Sequence, residues 1–272
     1  MITQEPAFTV HEWKATDYVN GNKIQEYAVK QLLKETNVDL TNKVILDISS
    51  DTGNISAFIA QQSALLIHSH VKTLLCEKCF TEKISPYPKC DLVTLFFCLP
   101  WMKIGNRKLV LQKCYDCLKP GGELIGNIST GSERLPIGNK ILDEVFPQLQ
   151  KIAPTLKRPQ ILQPYEENFA YYISDNNLAA LLKKIGFTQI SLELKFLNLT
   201  FKDINELSAF ERPVMMNIPF MQSLAVNIRE TIFKIYVNAL FNTLKKDSNG
   251  YYINSNDQTT VIHCFKGTAS KL

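Results

Sequence analysis

The sequence predicts an α/β fold: a mostly parallel sheet with helices on both of its faces. Two patterns carry that expectation. Short, continuously apolar runs such as Val44–Ile48 and Asp91–Phe97 alternate with amphipathic stretches, as they do when strands are buried on both faces. Proline and glycine stand just past expected helix ends, at Lys119-Pro120-Gly121-Gly122 and at Gly186. The length supports this. A chain of 272 residues, 45% apolar and 21% charged, can bury a sizeable core and is neither disordered, collagen-like nor a coiled coil.

Each element follows from local pattern. Residues 1–40 read as a helical N-terminal segment, in which Asn22–Glu35 sets Ile24, Tyr27, Ala28, Leu32 and Leu33 on one face. Val44–Ile48 is the first strand. Ser49-Ser50-Asp51-Thr52-Gly53 is a polar turn, Asn54–Gln62 a helix and Ala64–Ile67 a second strand. Asp91–Phe97 is the next strand. It leads to a helix over Arg107–Leu118 and a strand over Glu123–Ser129, so that 41–130 forms one half of the sheet. Residues 131–172 break the rhythm, with Pro136, Pro147, Pro154, Pro159 and Pro164. They read as a partly helical insertion, a lid expected over the C-terminal edge of the sheet. The other half, 173–272, holds a helix over Asp175–Ile185, a strand over Phe187–Leu199 and a long helix over Met221–Lys245. It ends in a strand over Thr259–Phe265, after a turn at Asn249-Gly250. The whole of 1–272 reads as a single domain.

Composition removes several function classes. Thirty Lys+Arg against 26 Asp+Glu leave only +4, with the basic residues scattered, so no nucleic-acid partner is expected. No apolar run approaches the roughly 20 residues that span a bilayer. The N-terminal residues have no signal-peptide pattern. Seven cysteines, an odd number, fit a reducing, cytoplasmic setting. Cys76/Cys79 and Cys114/Cys117 have zinc-knuckle spacing. The second pair falls within an amphipathic helix, where burial against the sheet is the plainer account, and no metal is expected. His263, in the last strand, reads as structural.

A strand, a small-residue turn with glycine and then a helix can cradle an anionic ligand, because the helix N-terminus favours negative charge. Val44-Ile45-Leu46-Asp47-Ile48-Ser49-Ser50-Asp51-Thr52-Gly53 resembles the first motif of the class I S-adenosylmethionine-dependent methyltransferases. Cys90-Asp91-Leu92-Val93 through Leu99-Pro100-Trp101 is similar to their fourth-strand motif, and Leu118-Lys119-Pro120-Gly121-Gly122-Glu123-Leu124 to the segment entering their fifth strand. Leu181–Phe187 resembles the helix and turn before the sixth. Trp13, Tyr18 and Gln25 are similar to the N-terminal pattern of the trans-aconitate, juvenile hormone acid and malonyl-carrier methyltransferases, and Phe201–Phe220 resembles the acid methyltransferases. The resemblance implies a Rossmann-like sheet of seven strands in the order 3-2-1-4-5-7-6, the last antiparallel, plus the helical lid. It implies S-adenosylmethionine as cofactor, with Tyr18, Gln25, Asp47, Ser49, Asp51, Gly53, His68, Leu99 and Trp101 around it. Trp13, Tyr165 and Tyr171 would line the acceptor site, and the partner would be a small-molecule acceptor.

Three features depart from the family pattern. Ser49 and Asp51 stand where the first motif has glycines, and the Asp51 carboxylate would repel the cofactor's own by about 1 kcal/mol when solvated. His68 or Ser69 falls where an acidic residue grips both ribose hydroxyls; a neutral histidine accepts only one hydrogen bond. The 20 residues from Val71 to Cys90 are short for a helix, a strand and a loop, so the third strand is expected to be rudimentary or missing. Two functions are therefore carried forward. One is a small-molecule methyltransferase acting on a carboxylate or other oxygen. The alternative is a degenerate, inactive methyltransferase-fold protein that binds or regulates, for which a protein partner is open.

Overall fold

In the computed structural model, the described residues are 22–48, 53–62, 66–70, 89–99, 104–129, 134–154, 175–197, 199–216, 221, 224–252 and 257–267. Among them the main sheet has six strands: β1 (Val44–Ile48), β2 (Leu66–His70), β3 (Cys90–Leu95), β4 (Leu118–Ser129), β5 (Phe187–Leu197) and β9 (Asp257–Lys266). Their order is β2-β1-β3-β4-β9-β5. β1 pairs in parallel with β2 and β3, and β3 with β4; β9 runs antiparallel to both β4 and β5. Six of the seven expected strands are present in the expected order, with the last strand antiparallel. The segment expected to hold a third strand, 71–88, lies outside the described residues.

Alternation along each strand divides the core into two layers. Ile45, Leu92, Ile125 and Val261 face one side, under α1 (Asn22–Thr36) and α2 (Asn54–Gln61). Leu46, Ile48, Val93, Leu95, Leu124 and Ile262 face the other, under α3 (Ile104–Cys117) and α5 (Asp175–Ile185). α1 seats Ala28, Val29, Leu32 and Leu33 on the sheet. Tyr27, expected on that face, is 59% exposed. The buried stripe runs 28-29-32-33, and Tyr27 lies off its edge. Cys114 and Cys117 do share one buried face, packed on the sheet with Cys90, Cys98 and Cys264 as free thiols.

Several boundaries move. The second strand starts at Leu66 and continues to His70. β4 begins at Leu118, immediately after α3. Cys90 pairs with Leu118 and Leu92 with Glu123, so the Lys-Pro-Gly-Gly segment forms an irregularity within the strand pairing. Lys266 Nζ donates to the carbonyls of Tyr115 (2.9 Å) and Leu118 (3.0 Å), neutralising the end of α3.

Beyond the sheet, α4 (Arg134–Ile152), α6 (Ile204–Met215) and α7 (Val226–Thr243) build a second core from Ile141, Val145, Leu149, Leu207, Phe233 and Val237. Joined to it is a small antiparallel sheet, β6 (Thr200–Phe201), β8 (Gly250–Tyr252) and β7 (Lys245–Asp247). The helix expected over Met221–Lys245 is thus shorter at both ends. Leu224 N–H donates to the Met221 carbonyl in a separate turn, and Lys245 belongs to the hairpin around Asn249-Gly250. The chain enters this layer after Ser129 and Leu197 and leaves it before Asp257. Ser129 and Lys195 both pair with Thr259, and Leu197 with Asp257, so these three points lie at the same edge of the sheet, the C-terminal ends of β4 and β5.

Candidate functional site

The sheet order defines where a ligand crevice opens. From β1 the chain moves outward to β2, then returns to the other side of β1 as β3. Ligands of open α/β sheets sit outside the carboxyl ends of the strands at such a reversal. Ile48 pairs with Leu95, so the carboxyl ends of β1 and β3 lie side by side.

Gly53 closes the first turn in the left-handed region, φ +82°, as the N-cap of α2, and its carbonyl accepts the Ala57 N–H at 2.8 Å. Among the described residues no atom lies within 4 Å of where a Cβ on Gly53 would stand, and the N-terminal amides of α2 follow it directly.

Asp47 does not face that opening. Only 2% exposed, it accepts a hydrogen bond from Ser56 Oγ in the first turn of α2 (2.5 Å) and another from Thr94 Oγ1 of β3 (2.6 Å). Burial pushes its carboxyl up to about 6, against the opposing effect of the two hydroxyls. Asp47 therefore fastens β1, α2 and β3 together behind the turn.

The segment after β3 is sharply bent. Phe97 has φ +52°, rare for an aromatic residue, and its N–H donates to Asn127 Oδ1 of β4 at 2.8 Å. Asn127 is wholly buried. Beside it, Gly126 admits the Leu95 carbonyl so closely that an added Cβ would lie 2.3 Å from the oxygen. Leu99 is 0% exposed within the α3/α5 core. Its side chain anchors this segment in the core.

Of the other expected site residues, Gln25 is half-buried on α1. His68 pairs with Leu46, two residues before the end of β2, so the strand's last position is His70 and not the expected His68 or Ser69. Trp13, Tyr18, Ser49, Asp51, Trp101, Tyr165 and Tyr171 lie outside the described residues. The sequence reading missed Ser56, Thr94 and Asn127. The signal for the latter two was a polar residue inside an apolar strand, as in Leu92-Val93-Thr94-Leu95 and Leu124-Ile125-Gly126-Asn127-Ile128.

His263 Nε2 lies 3.0 Å from Glu123 Oε2, and Lys43 Nζ donates to Glu123 Oε1 at 2.5 Å. The hydrogen bond with His263, aided by Lys43, holds the Glu123 carboxyl below the usual range. Glu123 pairs with Leu92, at the opposite end of the strands from the crevice, which fits the structural reading of His263. Among the described residues no cluster of His, Cys, Asp or Glu is arranged to hold a metal ion.

No family model and no curated protein matches the sequence. Solved structures do. Phosphoethanolamine N-methyltransferase 2 of Haemonchus contortus, solved with phosphomonomethylethanolamine and S-adenosylhomocysteine, aligns at TM-score 0.50 and 16% identity over 94% of this chain. Its selenomethionine form with S-adenosyl-L-methionine gives the same values. The fold is that of the class I S-adenosylmethionine-dependent methyltransferases. The chain spans 58% of the length of these two structures.

Proposed function

We propose that this chain is an S-adenosylmethionine-dependent methyltransferase acting on a small molecule, at a carboxylate or other oxygen. The observation that carries the reading is the left-handed Gly53 cap on α2, which follows β1 at the sheet reversal of a methyltransferase-type fold. The residues present suit such a cofactor in part. The left-handed glycine and the α2 amides can receive a carboxylate, whereas Ser49 and Asp51 bring side chains, and Asp51 a charge, where the family pattern has glycines. Tyr18, Gln25 and Trp101 are assigned to the cofactor, and Trp13, Tyr165 and Tyr171 to the acceptor.

The cofactor supplies an electrophilic methyl group on a sulfonium. The protein's part is to hold an acceptor oxygen in line with it and exclude water, so catalysis is mainly positioning. A carboxylate acceptor needs no general base. The layer of α4, α6 and α7, entered from the C-terminal ends of β4 and β5, supports a covering role for the 131–172 insertion within a single unit. Five buried free thiols support a reducing, cytoplasmic setting.

A second reading, a non-catalytic binding module, is favoured by Ser49 and Asp51 in the turn. Calorimetric titration with S-adenosylhomocysteine, followed by transfer of labelled methyl to a panel of small carboxylic acids, tests both. Binding with transfer supports the enzyme, binding without transfer to any acid the module, and no binding removes the cofactor from either account.

A further inference from the structure

We propose that Asn127 is a positioning residue for the crevice. Its side chain holds the segment after β3 in the bent conformation that shapes one wall of the ligand site. The consequence for ligand affinity rests on the function proposed above; the hold on the segment does not.

Four observations converge. Phe97 adopts φ +52°, which L-residues with large side chains avoid because Cβ crowds the following carbonyl. A residue stays there only when its surroundings over-determine it. The determinant in view is the hydrogen bond from Phe97 N–H to Asn127 Oδ1, 2.8 Å, made by a side chain wholly withdrawn from solvent. Gly126 lets β4 approach the Leu95 carbonyl, bringing Asn127 within reach of the chain two residues later. Finally, Phe96 and Leu99, on either side of the bend, are buried in opposite core layers, Phe96 toward α1 and α2, Leu99 toward α3 and α5. The bend at Phe97 lets the chain cross from one layer to the other at the end of β3. Asn127 thus sets the path of the residues leading into Pro100 and Trp101.

The test is a double-mutant cycle on the full chain with two readouts: exchange of the Phe97 amide hydrogen and calorimetric affinity for S-adenosylhomocysteine. Asn127→Leu, close in volume but without an acceptor, should expose the Phe97 amide to exchange and weaken binding about tenfold, the range of one lost buried hydrogen bond. Asn127→Asp, which keeps an oxygen in place, should restore both. In a Phe97→Gly background, where glycine takes positive φ unaided, Asn127→Leu should change affinity less than about threefold. Should Asn127→Leu fail to fold, Asn127→Ala replaces it with the same expectations. Unchanged Phe97 protection in Asn127→Leu, or equal effects of Asn127→Leu in the wild-type and Phe97→Gly backgrounds, overturns the proposal. If the wild-type protein does not bind S-adenosylhomocysteine, the function proposed above fails, while amide exchange in Asn127→Leu and Asn127→Asp still decides the role of Asn127.

Discussion

Replacing Asp47 with asparagine should stabilise the protein at neutral pH. Asp47 is a buried carboxylate with two hydroxyl donors and no cation among its hydrogen-bond partners, Ser56 and Thr94. Its carboxyl rises from an ordinary 3.8 to about 6 because burial penalises the charged form. That elevation corresponds to about 3 kcal/mol. The sign follows from proton counting. Below pH 4 the folded and unfolded states both hold the proton, and the penalty is absent. Between about 4 and 6 only the folded state holds it, so stability falls as the pH rises, and above about 7 the full cost is present. An asparagine side chain carries no charge, and both hydroxyls can still bond to its amide. Asp47→Asn should therefore be more stable than wild type by about 2–3 kcal/mol at pH 7.5. At pH 4.5 the advantage should be about 2 kcal/mol smaller. Urea denaturation of both proteins at the two pH values measures this. Other carboxylates titrate in both proteins and cancel in the difference. A gap differing by less than about 0.5 kcal/mol between the two pH values would show that Asp47 carries no such burial penalty.

Further outcomes follow from single contacts. Gly126→Ala drives a methyl against the Leu95 carbonyl and should cost about 1–3 kcal/mol in the same denaturation assay; an unchanged midpoint would show that the two strands do not approach so closely. Cys90, Cys114 and Cys264 are buried, and burial raises their thiols, to about 12 for Cys90 and Cys264. Alkylation at pH 8 with peptide mapping should leave these three unmodified in native protein and modify them in urea; rapid native labelling would count against the packing described. Ser49→Gly with Asp51→Gly should tighten S-adenosylhomocysteine binding about fivefold by removing one repelling carboxylate. An unchanged dissociation constant would place the weakness elsewhere, in the short 71–88 segment.

The strands and the two helical faces were legible because each rests on periodicity within a few residues, whereas the strand order and the antiparallel last strand came from the resemblance carried by motifs such as Leu118–Leu124. Val44–Ile48 and Leu92–Leu95 are almost continuously apolar, broken only by Asp47 and Thr94, which is the pattern of interior strands. Helix boundaries near Met221 and Lys245 were not legible, since the same apolar spacing serves a helix, a turn and a hairpin. The site was half legible. Gly53 announced itself as the glycine of a turn, but Asp47 was assigned to a ligand when its partners are Ser56 and Thr94, 9 and 47 residues away in sequence. Leu99 likewise was assigned from its place beside Trp101, while its packing partners come from other elements. Asn127 shows the same limit. Its function depends on the φ of a residue 30 positions away, which no local pattern encodes.

In the proposed function S-adenosylmethionine binds at the carboxyl end of β1, beside Gly53. Calorimetric titration of the 272-residue protein with S-adenosylhomocysteine addresses it most directly. One saturable site per chain is expected, with a dissociation constant weaker than about 10 μM, in keeping with Ser49 and Asp51 where the family pattern has glycines. Absence of binding at millimolar ligand, in protein shown to be folded, would contradict it.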